Sequence, residues 1–144
     1  MYKHIIIPTD GSEAGTRAVQ QGLDLARAIG ARLTILTVLQ PFQTFTFAPG
    51  LVTETVDVHR EQLDQHVSAD NRLEARIRSS GVACTHLSAE DFHLSEAVRQ
   101  AAEAQDCDLI VMPAHERYGL LGRSVDSETV KLLSHSRLPV LVLH

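Results

Sequence analysis

The chain has 144 residues, 44% apolar and 22% charged, with a formal net charge of −5. That length suits one domain with a full core, and the balance is ordinary for a soluble globular protein. The negative charge removes any electrostatic reason to expect a nucleic-acid partner, and no apolar run approaches the roughly 20 residues of a membrane span. The first residues, MYKHIIIPTDGSE, turn polar too early for a secretory signal, so a cytoplasmic location is expected. Cys84 and Cys107 lie far apart with no CxxC, which favours reduced, buried thiols over a disulfide.

The segment from His4 to Asp10, HIIIPTD, is a short apolar run closed by a turn signal, the pattern of a strand buried on both faces. The following stretch places Ala18, Val19, Gly22, Leu23, Ala26 and Ile29 on one helical face, with Ser12 as N-cap and Gly30 as C-cap. ARLTILTVLQ is a second strand ending near Leu39. PFQTFTFAPGLVTET, which holds Phe42, Phe45 and Phe47, reads as a loop. From about Glu54 to Ser80 a narrow apolar stripe (Val56, Leu63, Val67, Leu73, Ile77) predicts a long helix ended by Gly81. VACTHLSA is a third strand, LSEAVRQAAEAQ a third helix and DLIVMP a fourth strand. Ser127 to Ser136 is a short fourth helix, and PVLVLH is a fifth strand. Alternation of this kind predicts a single α/β domain: a five-stranded parallel sheet with helices on both faces. Ligands in such sheets sit beyond the carboxyl ends of the strands, which singles out the loops after Ile7, Val38 and Met112.

Two of these loops carry candidate chemistry. In PTDGS, Pro8 to Ser12, Asp10 can orient a ribose hydroxyl, a metal or a water, and helix-start N–H groups can meet an anion. The same residues also make an ordinary Asp-Gly turn with a serine cap. In VMPAHERYGLLGRSVDSE, Ser127 stands at a helix start, but Pro113, Glu116 and Asp126 occupy places where a phosphate cradle wants small, uncharged residues. Proline has no N–H to offer, and a like-charge pair at about 4 Å costs on the order of 4 kcal/mol at an intermediate dielectric. Arg117, Arg123 and Lys131 can offset part of this, or can tie the loop down through ion pairs with its own acids.

Other features are weaker. His59 and His66 are seven apart on the long helix, wider than a helical metal pair, and read as solvent-facing. His115 has no nucleophile elbow beside it, so no catalytic residue is assigned. The Phe-rich loop is a lid, a partner surface or a segment folded back on its own domain. A final strand at a sheet edge invites a second copy, so a homodimer through Pro139 to Leu143 is expected.

Taken together, HIIIPTDGSEAGTRAV, ARLTILTVL, CDLIVMPAHERYGL and SVDSETVKLLSHSRLPVLVLH resemble the universal stress protein family over nearly the whole chain. The resemblance implies an adenine nucleotide alpha hydrolase-like (Rossmann-like) sandwich and dimerisation through the last strand. It also implies that the protein either binds ATP or has lost that ability. ATP-binding members carry a pattern like G-x2-G-x9-G-[ST]. Laid on this chain without a gap, its glycines fall on Pro113, Glu116 and Asp126, and only Ser127 matches. Asp10 and the end of the second strand near Val38 survive. The candidate nucleotide-contacting set is Pro8, Thr9, Asp10, Val38, Met112, His115, Arg117 and Ser127, with no metal ligand assigned. The expectation is a non-catalytic stress-response protein with weak or absent ATP binding, no cofactor and an unidentified protein partner. The alternatives are an ATP or AMP sensor using Mg²⁺ and a slow nucleotide hydrolase in which Asp10 holds the metal.

Overall fold

The computed structural model describes residues 1–39, 72, 74–91, 93–114, 117–119, 122–124 and 127–143, with the backbone alone for Leu39 and for 117–119 and 122–124. The calls on Phe42, Phe45, Phe47, His59, His66, His115, Glu116 and Asp126, and the stretch of the long helix before residue 72, lie outside these residues.

The elements run β1 (His4–Thr9), α1 (Glu13–Ile29), β2 (Arg32–Leu39), α2 (helical residues 74–80), β3 (Cys84–Glu90), α3 (Leu94–Ala104), β4 (Leu109–Pro113), β5 (Arg117–Gly119), β6 (Gly122–Ser124), α4 (Ser127–His135) and β7 (Val140–Leu143). Five strands form one parallel sheet in the order β3-β2-β1-β4-β7, as the alternation of strands and helices predicts. β5 and β6 make a separate antiparallel hairpin, an addition to the expected order. β3 begins at Cys84, two residues later than its sequence suggests.

β1 is central and every residue of it is buried, which is why its sequence is a continuous apolar run rather than an alternating one. Successive side chains point to opposite faces and divide the core in two. Ile5, Ile7, Leu33, Ile35, Leu109 and Val111 pack with the buried stripe of α1. Ile6, Leu36, Val38, Ile110 and Met112 pack with Ala97, Val98 and Ala102 of α3 and Leu132 of α4. Each large aliphatic side chain so enclosed contributes roughly 1.5–3 kcal/mol of hydrophobic stabilisation.

α1 lies close on the sheet because its stripe is made of small residues. A Cβ on Gly22 would stand 1.9 Å from Ile7 Cδ1. The helix starts at Ser12, whose Oγ accepts the Gly15 N–H at 3.1 Å, and ends at Gly30 in the left-handed region at φ 69°. α3 ends on Asp106 at φ 52°, with the Cys107 N–H returning to the Ala102 carbonyl at 2.9 Å. β3 and β7 are the two sheet edges.

Candidate functional site

The strand order reverses between β1 and β4: β2 and β3 lie to one side and β7 to the other. In open parallel sheets ligands sit beyond the carboxyl ends at such a switch point, which here falls between the turn after Thr9 and the end of β4 at Pro113. Both loops singled out in the sequence therefore open from neighbouring strands.

The β1–α1 turn is held by its own side chains. Thr9 Oγ1 accepts the Gly11 N–H at 3.2 Å, and Asp10 Oδ1 accepts the Ser12 N–H at 2.9 Å. Thr16 donates its hydroxyl to the Ser12 carbonyl at 3.0 Å. Gly11 takes φ 77°, which a Cβ would strain. Gly15 brings the first turn of α1 so near that a Cβ there would lie 2.6 Å from Thr9 Oγ1 and 3.2 Å from Asp10 Oδ1. Asp10 is exposed, and with Glu13 it places negative charge at the helix start. Such charge stabilises the helix but opposes an incoming anion.

Across the switch point, Met112 and Pro113 end β4 fully buried. Ala114 donates its N–H to the Leu143 carbonyl at 2.7 Å, extending the ladder to β7. Val38 is buried one residue beyond Thr37, the register partner of Thr9. The structure thus brings Pro8, Thr9, Asp10, Val38 and Met112 to the carboxyl ends of three adjacent strands. The Val38 and Met112 side chains belong to the core facing α3 and α4, so only their main chain is available to a ligand. Arg117 lies in the backbone of β5, and Ser127 is exposed at the start of α4.

Sequence reasoning missed the contact that joins the starts of α3 and α4. α3 has no side-chain cap from His93. Glu128 of α4 supplies one: its Oε2 accepts the Ser95 N–H at 3.0 Å and the Ser95 hydroxyl at 2.8 Å. Its other oxygen accepts Lys131 Nζ at 2.6 Å. The Lys131 ammonium first, then the Ser95 N–H, hold the Glu128 carboxyl down to about 2. Lys131, read from the sequence as a counter-charge for a phosphate, is committed to Glu128 instead. No local pattern announces a partner 33 residues away.

Cys84 and Cys107 are free thiols, and burial pushes each up to about 11, away from thiolate chemistry. Among the described residues no group of three or more His, Cys, Asp or Glu is arranged to hold a metal ion. Among the same residues no helix is long and apolar enough to cross a membrane.

The geometry defines a doubly wound parallel α/β domain whose strand order reverses between β1 and β4. The sequence model of the universal stress protein family matches residues 1–144. A universal stress protein of Thermus aquaticus, encoded in the 3′ region of a QAH/OAS sulfhydrylase, is 28% identical over 148 residues, 99% of each chain. The crystal structure of a universal stress protein family member from Burkholderia pseudomallei superposes with a TM-score of 0.71 at 30% identity, covering 99% of this chain and 96% of that one. A universal stress protein solved in complex with cAMP superposes at 0.69 with 20% identity, covering 99% and 97%. The chain belongs to the universal stress protein family.

Proposed function

We propose that this chain is a cytoplasmic, non-catalytic stress-response protein that binds ATP weakly or not at all, and that it acts as a homodimer which recruits or protects a protein partner. One observation carries the reading. A polyphosphate is gripped by backbone N–H groups aimed inward from a flexible loop. Here the loop leaves β4 through Pro113, which has no N–H, and the next N–H, that of Ala114, is bonded to the Leu143 carbonyl at 2.7 Å. In sequence, Glu116 and Asp126 stand where the other two glycines of the ATP-binding pattern would fall, and each brings charge of the wrong sign.

A second reading, a sensor of a smaller adenine nucleotide, draws support from the relative solved with cAMP, a ligand with one phosphate rather than three. Asp10 and the end of β2 are retained, so an adenosine moiety meets less opposition than a triphosphate tail.

Calorimetry separates the two. ATP with Mg²⁺ is expected to bind more weakly than about 100 µM, near −5.5 kcal/mol. Low-micromolar ATP binding overturns the reading, and tight binding of AMP or cAMP alone installs the second one. Under the sensor reading Asp10→Ala and Ser127→Ala each weaken that binding. A hydrolase requires ADP to accumulate and to stop accumulating in Asp10→Ala.

The dimer is supported by the edge position of β7 and by apolar exposure around it: Leu141 on the strand is 40% exposed, and Val130 and Leu133 on the preceding helix are 49% and 48% exposed. Val142→Glu should elute as a monomer on a sizing column. A dimer that persists moves the interface away from Pro139 to Leu143.

A further inference from the structure

The opposite, amino end of the sheet holds a polar cluster that the ligand crevice does not use. His4 opens β1 and is 5% exposed, on the same sheet face as Ile6 and hydrogen-bonded to the Gln105 carbonyl at the end of α3. Its Nε2 lies 2.8 Å from Thr34 Oγ1 on β2, and its Nδ1 lies 3.4 Å from Arg32 Nη2. Thr34 also hydrogen-bonds the Cys107 thiol, 6% exposed, in the connection between α3 and β4. The backbone of the same residue is clamped from the other side. Asp108 Oδ1 accepts the His4 N–H at 2.9 Å and Oδ2 accepts the Lys3 N–H at 2.8 Å, while the Asp108 N–H donates to the His4 carbonyl at 2.9 Å. Arg32 in turn donates its N–H to the Lys3 carbonyl at 2.9 Å. One residue therefore ties three segments together.

We propose that His4 is an acid-sensitive latch: protonation of its ring places a cation against Arg32 inside the fold and loosens the amino end of β1 from β2 and from the α3–β4 connection. The charged and titratable groups facing it are Arg32 from β2, Asp106, Cys107 and Asp108 from the α3–β4 connection, and Lys3 just before it in the chain. Burial and then Arg32 disfavour the imidazolium; the Gln105 carbonyl, Asp108 and Asp106 favour it. The first two win, and the ring titrates below its ordinary 6.5. The sign follows from linkage. With the folded pKa depressed, the unfolded or opened chain takes the proton first, so the latch is closed above pH 6.5 and weakens as pH falls below it.

The test is backbone amide exchange, read relative to intrinsic rates, in the full chain from pH 7.5 to 5. The opened fraction reported by the Arg32 and Asp108 amides should rise as pH falls below 6.5, by no more than about tenfold per pH unit, the limit set by one proton. Amides of the β1–α1 turn should not follow. His4→Gln, which keeps a donor and an acceptor but no titrating ring, should flatten the rise. The same pH dependence in His4→Gln overturns the proposal. Should that variant not fold, the His4 ring resonance of the unaltered protein, assigned through its contact with Thr34, decides instead: titration below 6.5 supports the latch, and titration at or above 6.5 overturns it.

Discussion

The two ends of the sheet are built on opposite plans. At the amino end, His4, Thr34, Arg32, Cys107 and Asp108 interlock segments that are distant in sequence, and the histidine at the centre is withdrawn from water. At the carboxyl end the side-chain bonds described in the β1–α1 turn span two to four residues, and Asp10 is solvent-exposed. One end is a fastening and the other a mouth. They also answer to different acidity. The amino end weakens first below pH 6.5 through His4. The Glu128 bridge between the α3 and α4 starts holds above the ordinary glutamate value of 4.5 and is lost as pH falls from there through about 2.

Substitutions can break this contrast or sharpen it. The largest effect is expected where both ends share a core: Ile7→Ala should cost about 2–5 kcal/mol in denaturant unfolding, with no selectivity for either end. Asp108→Ala removes the acceptor of two backbone N–H groups and should cost about 1–3 kcal/mol, with accelerated amide exchange confined to the amino end. Accelerated exchange at Gly15 in that variant would erase the contrast. Glu128→Gln loses the Lys131 ion pair and should cost about 1 kcal/mol at pH 7, while flattening the fall in stability below pH 4.5 that the native carboxylate causes. An unchanged acid limb would locate that fall in other carboxylates. Ser12→Ala, which leaves the Gly15 N–H without its cap, should cost about 1 kcal/mol and leave the pH profile unaltered.

The parallel sheet was legible because its signals are local. The apolar run of β1, the spacing of Ala18, Val19, Gly22, Leu23 and Ala26, and the Ser12 and Gly30 caps each act within a few residues. The grouping of Thr9, Asp10 and Met112 was legible to the extent that topology places neighbouring strand ends together. The Glu128–Ser95 bridge and the His4 cluster were not legible. A glutamate in the first turn of a helix looks like any dipole-complementing acid, and a histidine opening a buried strand does not announce which side chains it meets. Their roles exist only once the tertiary fold brings β2 and the end of α3 to His4, and α3 beside α4. The β5–β6 hairpin escaped notice because Leu120 and Leu121, between Gly119 and Gly122, lack the Asn-Gly or Asp-Gly signature of a tight turn.

Gly22 carries a consequence for how α1 sits on the sheet. With α1 seated directly on Ile7, a side chain at 22 must displace the Ile7 Cδ1 methyl, the far end of that side chain. How closely α1 is seated on β1 is thus set in part by a missing side chain ten residues beyond the Ser12 turn.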